Sequence, residues 1–232
     1  MIKVENLSYA YKKNNKVLEN ISFEIPDGEI VLLLGINGVG KTTLLKCISG
    51  LLPTKHCITF DGEEVWDYAE LAFISEESIA FPHWKVERYG AFLQSQYAKF
   101  SIERFWNLLE FFSIDKNKKI HTLSKGQKMK LEVAAGFAKN TKYIIMDEPF
   151  SGNDIFTREN LMEKLIEQLD GTQTILMSTH ELTEVENFVD RVIVLKDGTM
   201  TSEAGVKNDC SVDEIREMGM SLREYFAKIY GK

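Results

Sequence analysis

The residues best equipped for chemistry lie together near the start of the chain, at Gly35-Ile36-Asn37-Gly38-Val39-Gly40-Lys41-Thr42, which follow the pattern G-x-x-x-x-G-K-S/T. The glycines let the backbone curl until several N–H groups point into one cavity, and a helix that starts there adds its positive end. Such a cradle suits the phosphates of a nucleoside triphosphate, ATP first among them. Lys41 would reach the β- and γ-phosphates as a point charge, and the Thr42 hydroxyl would ligate Mg²⁺. Thr43 would donate to the α-phosphate. The bland alternative is a tight strand-to-helix turn without a ligand. The flanking segments disfavour it, because an apolar strand precedes the loop and a helix follows, the context the chemistry requires.

A second candidate lies about a hundred residues on. Tyr143-Ile144-Ile145-Met146 reads as an apolar strand that runs into Asp147-Glu148-Pro149. A carboxylate at the end of a buried strand is costly unless it meets a cation or water. Asp147 is therefore expected to bind Mg²⁺, directly or through water. Glu148 is expected beside the γ-phosphate, where it would polarise the attacking water. Pro149 helps end the strand.

The elements that must position these groups alternate along the chain. Ile2–Leu7 and Val17–Ile25 read as β, with Pro26-Asp27-Gly28 as a turn. Glu29–Leu34 is a continuous apolar run, as expected of a strand buried on both faces. A helix is predicted over Lys41–Leu52, closed by Pro53. Aromatic residues at helical spacing from Phe81 to Phe112 predict a small helical insert between Glu76 and His121, its stripe read first as core packing. Helices over Ser124–Lys139, Arg158–Leu169 and Leu182–Phe188 then alternate with strands over Tyr143–Met146, Thr174–Ser178 and Arg191–Leu195. This alternation implies an α/β fold with a mostly parallel sheet covered on both faces. Val212–Tyr230 reads as one or two amphipathic helices with no evident duty.

Composition narrows the class. The chain has 232 residues, 44% hydrophobic and 27% charged, which is ordinary for a globular protein. Its net charge of −7 argues against a nucleic-acid binder, which usually shows a basic face. Its longest apolar runs have the length of a strand, short of the roughly 20 residues a spanning helix needs. The opening Met1-Ile2-Lys3-Val4-Glu5 has no signal-peptide character. Cys47, Cys57 and Cys210 match no metal pattern, so a reducing cytosol is expected. His56, His83 and His121 fit no pattern either.

Leu123-Ser124-Lys125-Gly126-Gln127 opens a helix with a good N-cap at Ser124, and Gly126 leaves the helix start open to an anion. Here the chain resembles the ATP-binding-cassette (ABC) ATPases, the motor subunits of ABC transporters, whose LSGGQ signature this segment matches with Lys125 at its third position. The resemblance runs from about Ile2 to Gly198. Tyr11 matches the aromatic residue that stacks on adenine. Ser151-Gly152-Asn153-Asp154 resembles the loop that communicates across the dimer, with Asp154 the communicating residue. His180 stands where the family's switch histidine contacts the γ-phosphate.

The resemblance implies a P-loop NTPase of RecA-like architecture with an N-terminal antiparallel β subdomain and an α-helical insert. The core is expected at about 1–76 and 123–205, the insert at 77–122 and the tail at 206–232. It further implies a head-to-tail dimer in which Ser124, Lys125, Gly126 and Gln127 of one cassette face the ATP held by Gly35–Thr43 of the other. A separate integral membrane subunit would dock between insert and core, placing the chain at the cytoplasmic face of the membrane. The short insert looks more like the compact ATPases of export-type (ABC-2 type) systems.

Two positions depart from the family. Glu76, in Ala72-Phe73-Ile74-Ser75-Glu76-Glu77, takes the place of a glutamine that contacts Mg²⁺ or the attacking water. A glutamate is a stronger ligand for a hard cation, so Glu76 joins Thr42 and Asp147 as a candidate metal ligand. Lys125 in the signature would favour the opposing triphosphate or face solvent. Two other readings compete: a soluble ABC ATPase acting on nucleic acid or the ribosome, and a module that binds ATP without hydrolysing it. The single uninterrupted cassette and acidic balance argue against the first, and Glu148 with His180 against the second.

Overall fold

A computed structural model of the chain describes residues 1–12, 15–64, 68–75, 81–150, 155–180, 182–200 and 207–231. Two strands open the chain, β1 (Ile2–Lys12) and β2 (Asn15–Ile25), and pair antiparallel with Ile2 opposite Ile25. With β4 (Ile58–Phe60) on the other side of β1 they form a three-stranded antiparallel sheet. Residues Ile2, Val4 and Leu7 of β1 and Leu18, Ile21, Phe23 and Ile25 of β2 are buried. Alternate residues therefore leave one face of this sheet to solvent.

The second sheet has six strands, ordered β5 (Leu71–Ile74), β6 (Tyr143–Asp147), β7 (Thr174–Ser178), β3 (Ile30–Leu34), β8 (Arg191–Val194) and β9 (Asp209–Ser211). All its pairs are parallel except β8 with β9. The apolar runs of the sequence follow from this burial on both faces. Along β3, Leu32 and Leu34 enter one core while Val31 and Leu33 enter the other. Strands β6, β7 and β8 divide their side chains in the same way.

The first core lies under helices α2 (Val86–Gln96), α3 (Ile102–Phe111), α4 (Lys125–Ala138), α5 (Ile155–Ile166), α6 (Leu182–Val185), α7 (Val212–Glu217) and α8 (Leu222–Tyr230). The aromatic stripe of the sequence is largely core, as expected: Tyr89, Phe100, Phe105 and Phe112 are buried there, and Trp106 and Phe92 pack against it. The second core holds helix α1 (Lys41–Ile48) between the two sheets. Among the described residues, no helix is long and apolar enough to cross a membrane.

Several boundaries differ from those the sequence predicts. Helix α1 stops at Ile48 rather than Leu52, because the N–H groups of Gly50, Leu51 and Leu52 fold back on the carbonyls of Cys47 and Lys46. Helix α6 is a single turn rather than running to Phe188. The chain must already be back beside β3 at Asp190, whose N–H donates to the Ile30 carbonyl and whose carboxylate accepts from the Ile30 N–H. Strand β9 has no counterpart in the sequence reading. The tail does form two helices, and both α7 and α8 begin with a reciprocal cap, Ser211 with Glu214 and Ser221 with Glu224.

Candidate functional site

The site forms at the carboxyl ends of β3, β6 and β7, where an open parallel sheet places its ligands. Residues 35–40 connect β3 to α1. Gly40 takes φ 113°, a value that side chains rarely allow, and is the N-cap of α1 without a side-chain cap. The first turn of α1 contains no acidic residue. Its N–H groups are thus left for an anion. An open cleft of about 380 Å³ results, lined by Tyr11, Val17, Asn37, Gly38, Gly40, Lys41, Thr42, Thr43, Asp147 and Glu148.

Lys41 is buried, and its Nζ donates to the carbonyls of Gly35 (2.7 Å) and Ile36 (3.4 Å). Burial lowers its pKa, against the opposing pull of Glu148 and Asp147. The Thr42 hydroxyl donates to Asp147 Oδ2 at 2.7 Å. Two hard oxygens so close, one of them a carboxylate, fit Mg²⁺, which takes one or two carboxylates and completes its shell with water and phosphate. Among the described residues, no group of three or more His, Cys, Asp and Glu side chains is placed to hold a metal ion.

Register explains how Asp147 is held. It ends β6 directly opposite Ser178 at the end of β7. The Ser178 hydroxyl donates to Asp147 Oδ1 at 2.6 Å, leaving Oδ2 to Thr42. Ser178 also receives the Glu148 N–H, at 3.1 Å to its carbonyl and 3.2 Å to Oγ. These bonds fix Glu148 at φ 50°, a strained backbone for a non-glycine residue. Glu148 Oε2 then lies 2.9 Å from His180 Nδ1, two residues beyond β7. The sequence singled out Asp147, Glu148 and His180 but not Ser178. Its signal was available, as a serine closing the strand two residues before the candidate histidine.

Tyr11 is 54% exposed at the mouth of the cleft, its hydroxyl 3.3 Å from Thr43 Oγ1 and its ring edge-on to Tyr9. The Ser124–Gln127 segment does not line the cleft. Ser124 caps α4 by accepting from the Gln127 N–H (3.2 Å), while Gln127 Oε1 accepts from the Ser124 N–H (3.1 Å). Ser124 and Lys125 are exposed and Gly126 is buried. Glu76 and Asp154 lie outside the described residues.

Comparison with known proteins agrees with this geometry. Residues 18–151, more than half of the chain, match the family model described as ABC transporter. An uncharacterised ABC transporter ATP-binding protein of Methanocaldococcus jannaschii is 34% identical over 220 residues, covering 90% of this chain and 79% of its own. The SkfA peptide export ATP-binding protein of Bacillus subtilis is 32% identical, covering 88% of each chain. A solved structure of an ATP-binding subunit of an ABC transporter superposes with a TM-score of 0.85 at 28% identity, covering 99% of both chains. The P-loop, the acidic strand end and these likenesses place the chain in the ABC transporter family, as one of its ATP-binding ATPase subunits.

Proposed function

We propose that this chain is the hydrolytic motor of a transporter whose membrane-spanning part is a separate subunit. Two cassettes close head to tail on two molecules of Mg-ATP and reopen after hydrolysis. One observation carries the reading: the cleft of a single chain gathers the phosphate loop, Asp147 and Glu148, while the Ser124 segment stands outside it at an exposed helix start. A second copy, or a related cassette, would bring that helix start to the γ-phosphate. ATP bridging the two then favours the closed state by differential affinity.

Within one site, Tyr11 stacks on the adenine and the amides of Gly35–Thr43 hold the phosphates. Lys41 exchanges its two carbonyl partners for phosphate oxygens. Thr42, Asp147 and Glu76 are the ligands available to Mg²⁺. When bound, the ion draws negative charge from the phosphate oxygens. Glu148 takes the proton of the attacking water, and His180 orients Glu148 and contacts the γ-phosphate. Ser124, Lys125, Gly126 and Gln127 serve the partner's nucleotide, and Asp154 communicates between the two sites. The core comprises about 1–76 and 123–205, the insert 77–122 and the tail 206–232. The integral membrane subunit docks between insert and core at the cytoplasmic face. The short insert and the likeness to an ATP-binding protein of peptide export support export as the direction.

Glu148→Gln tests the scheme. Turnover should fall by about 100-fold or more, the scale of a lost general base, while ATP binding persists. The variant should then accumulate as an ATP-bound dimer, measured by light scattering after gel filtration. Full activity in the variant would remove Glu148 from this role. Wild-type ATPase strictly linear in protein concentration, with no dimer in any nucleotide state, would refute the shared site.

A further inference from the structure

Helix α8 reaches back to the phosphate loop across nearly the whole length of the chain. The hydroxyl of Tyr230, its last residue, accepts a hydrogen bond from the Ile36 N–H at 3.3 Å and donates to the Leu195 carbonyl. Leu195 follows β8, and its own N–H donates to the carbonyl of Leu34, the last residue of β3 before the loop. The Leu195 carbonyl also lies so close to Gly35 that a Cβ there would come within 2.9 Å of it, and within 2.6 Å of Val39 Cγ1. One phenol thus ties together the loop's entry and the strand beside it.

The anchor itself is firm. Leu222, Tyr225 and Ile229 bury one side of α8, and Lys196 Nζ donates to the Ile229 carbonyl at 3.1 Å. Phe226 packs against the Tyr230 ring, centroids 4.7 Å apart, and lines a cavity of about 220 Å³ with Ile36, Asn37 and His180. The tail therefore bonds the phosphate loop and shares a cavity with the segment that bears His180.

We infer that Tyr230 is a positioning residue of the nucleotide site: its hydroxyl holds the entry of the phosphate loop in the shape that receives ATP. The inference rests on the reading of Gly35–Thr43 as the phosphate cradle. A loop rich in glycine has many alternative conformations, and ordering it on binding costs affinity. A hydrogen bond from a fixed helix removes part of that cost before ATP arrives. Ile36 does not itself carry out chemistry, so the effect falls on nucleotide affinity rather than on the hydrolytic step.

Tyr230→Phe keeps the ring and removes the hydroxyl. Tyr225→Phe is its control, since Tyr225 on the same helix donates to the Lys207 carbonyl at 2.5 Å and lies outside the cleft. With the full-length chain, KM for Mg-ATP should rise about threefold to tenfold in Tyr230→Phe, the scale of one hydrogen bond, with kcat within about twofold. Amide hydrogen exchange of residues 35–40 in the nucleotide-free protein should quicken in Tyr230→Phe and stay unchanged in Tyr225→Phe. Equal KM and equal exchange in the two variants would overturn the inference, as would a loss confined to kcat. Lys41→Ala separates it from the underlying reading. Undiminished ATP binding in Lys41→Ala would refute the phosphate cradle itself, whereas lost binding there with an inert Tyr230→Phe removes Tyr230 alone.

Discussion

Replacing Glu132 by glutamine should leave stability nearly unchanged at pH 5 and increase it at pH 8. Glu132 lies on α4, 6% exposed, and accepts a hydrogen bond from the Tyr89 hydroxyl of α2 at 3.1 Å. Loss of water outweighs both that bond and the attraction of Lys139, and its carboxyl is pushed up to about 7. In the unfolded chain the same group titrates near 4.5. The folded state therefore holds the proton more tightly. That contribution is complete below about pH 4.5 and is lost as pH rises through 7. Once ionised, the buried carboxylate costs the folded state about 3 kcal/mol. Glutamine keeps the shape and the acceptor for Tyr89 without the charge. The variant should match wild type within about 1 kcal/mol at pH 5 and exceed it by about 2–3 kcal/mol at pH 8. Urea unfolding of both proteins at the two pH values measures the difference. A gap that does not change with pH, or a variant less stable at pH 8, would refute the electrostatic account of this contact.

Two further outcomes follow from the site. Ser178→Ala removes the hydroxyl that donates to Asp147 Oδ1. A bond to a charged acceptor of this kind is worth about 1.5–3 kcal/mol, so kcat/KM for Mg-ATP should fall about tenfold or more; an unchanged value would show that Asp147 holds its place without Ser178. If Glu76 senses Mg²⁺, then Glu76→Gln and Glu76→Ala should each shift the Mg²⁺ concentration needed for half-maximal ATPase rate. An unchanged Mg²⁺ response in both would remove Glu76 from the metal.

The sequence made local features plain and distant contacts obscure. The phosphate loop is legible because its glycines, lysine and threonine act through adjacent backbone, and the β strands because apolar runs must enter two cores. Strand β9 is only three residues long, and its pairing with β8 is a tertiary choice with little local signature. The end of α1 depends on amides turning back at Gly50, which the pattern before Pro53 does not specify. The strained φ of Glu148 arises from Ser178 on the next strand, and the bond from Ile36 to Tyr230 spans 194 positions. No periodicity or motif in the tail signals the contact of Tyr230 with Ile36.

The capping boxes of this protein have a consequence for charge. Helices α7 and α8 close their boxes with glutamates, Glu214 and Glu224, and so place a negative charge against their own positive ends. Helix α4 closes the same box with neutral Gln127, and its first turn carries no acidic residue. The N–H groups of Ser124 and Gln127 are thus bonded as their counterparts in α7 and α8 are, yet no acidic residue of its first turn offsets the partial positive charge of the helix end. Of these three capped helices, the one that begins at Ser124 is the one whose end stays attractive to an incoming anion.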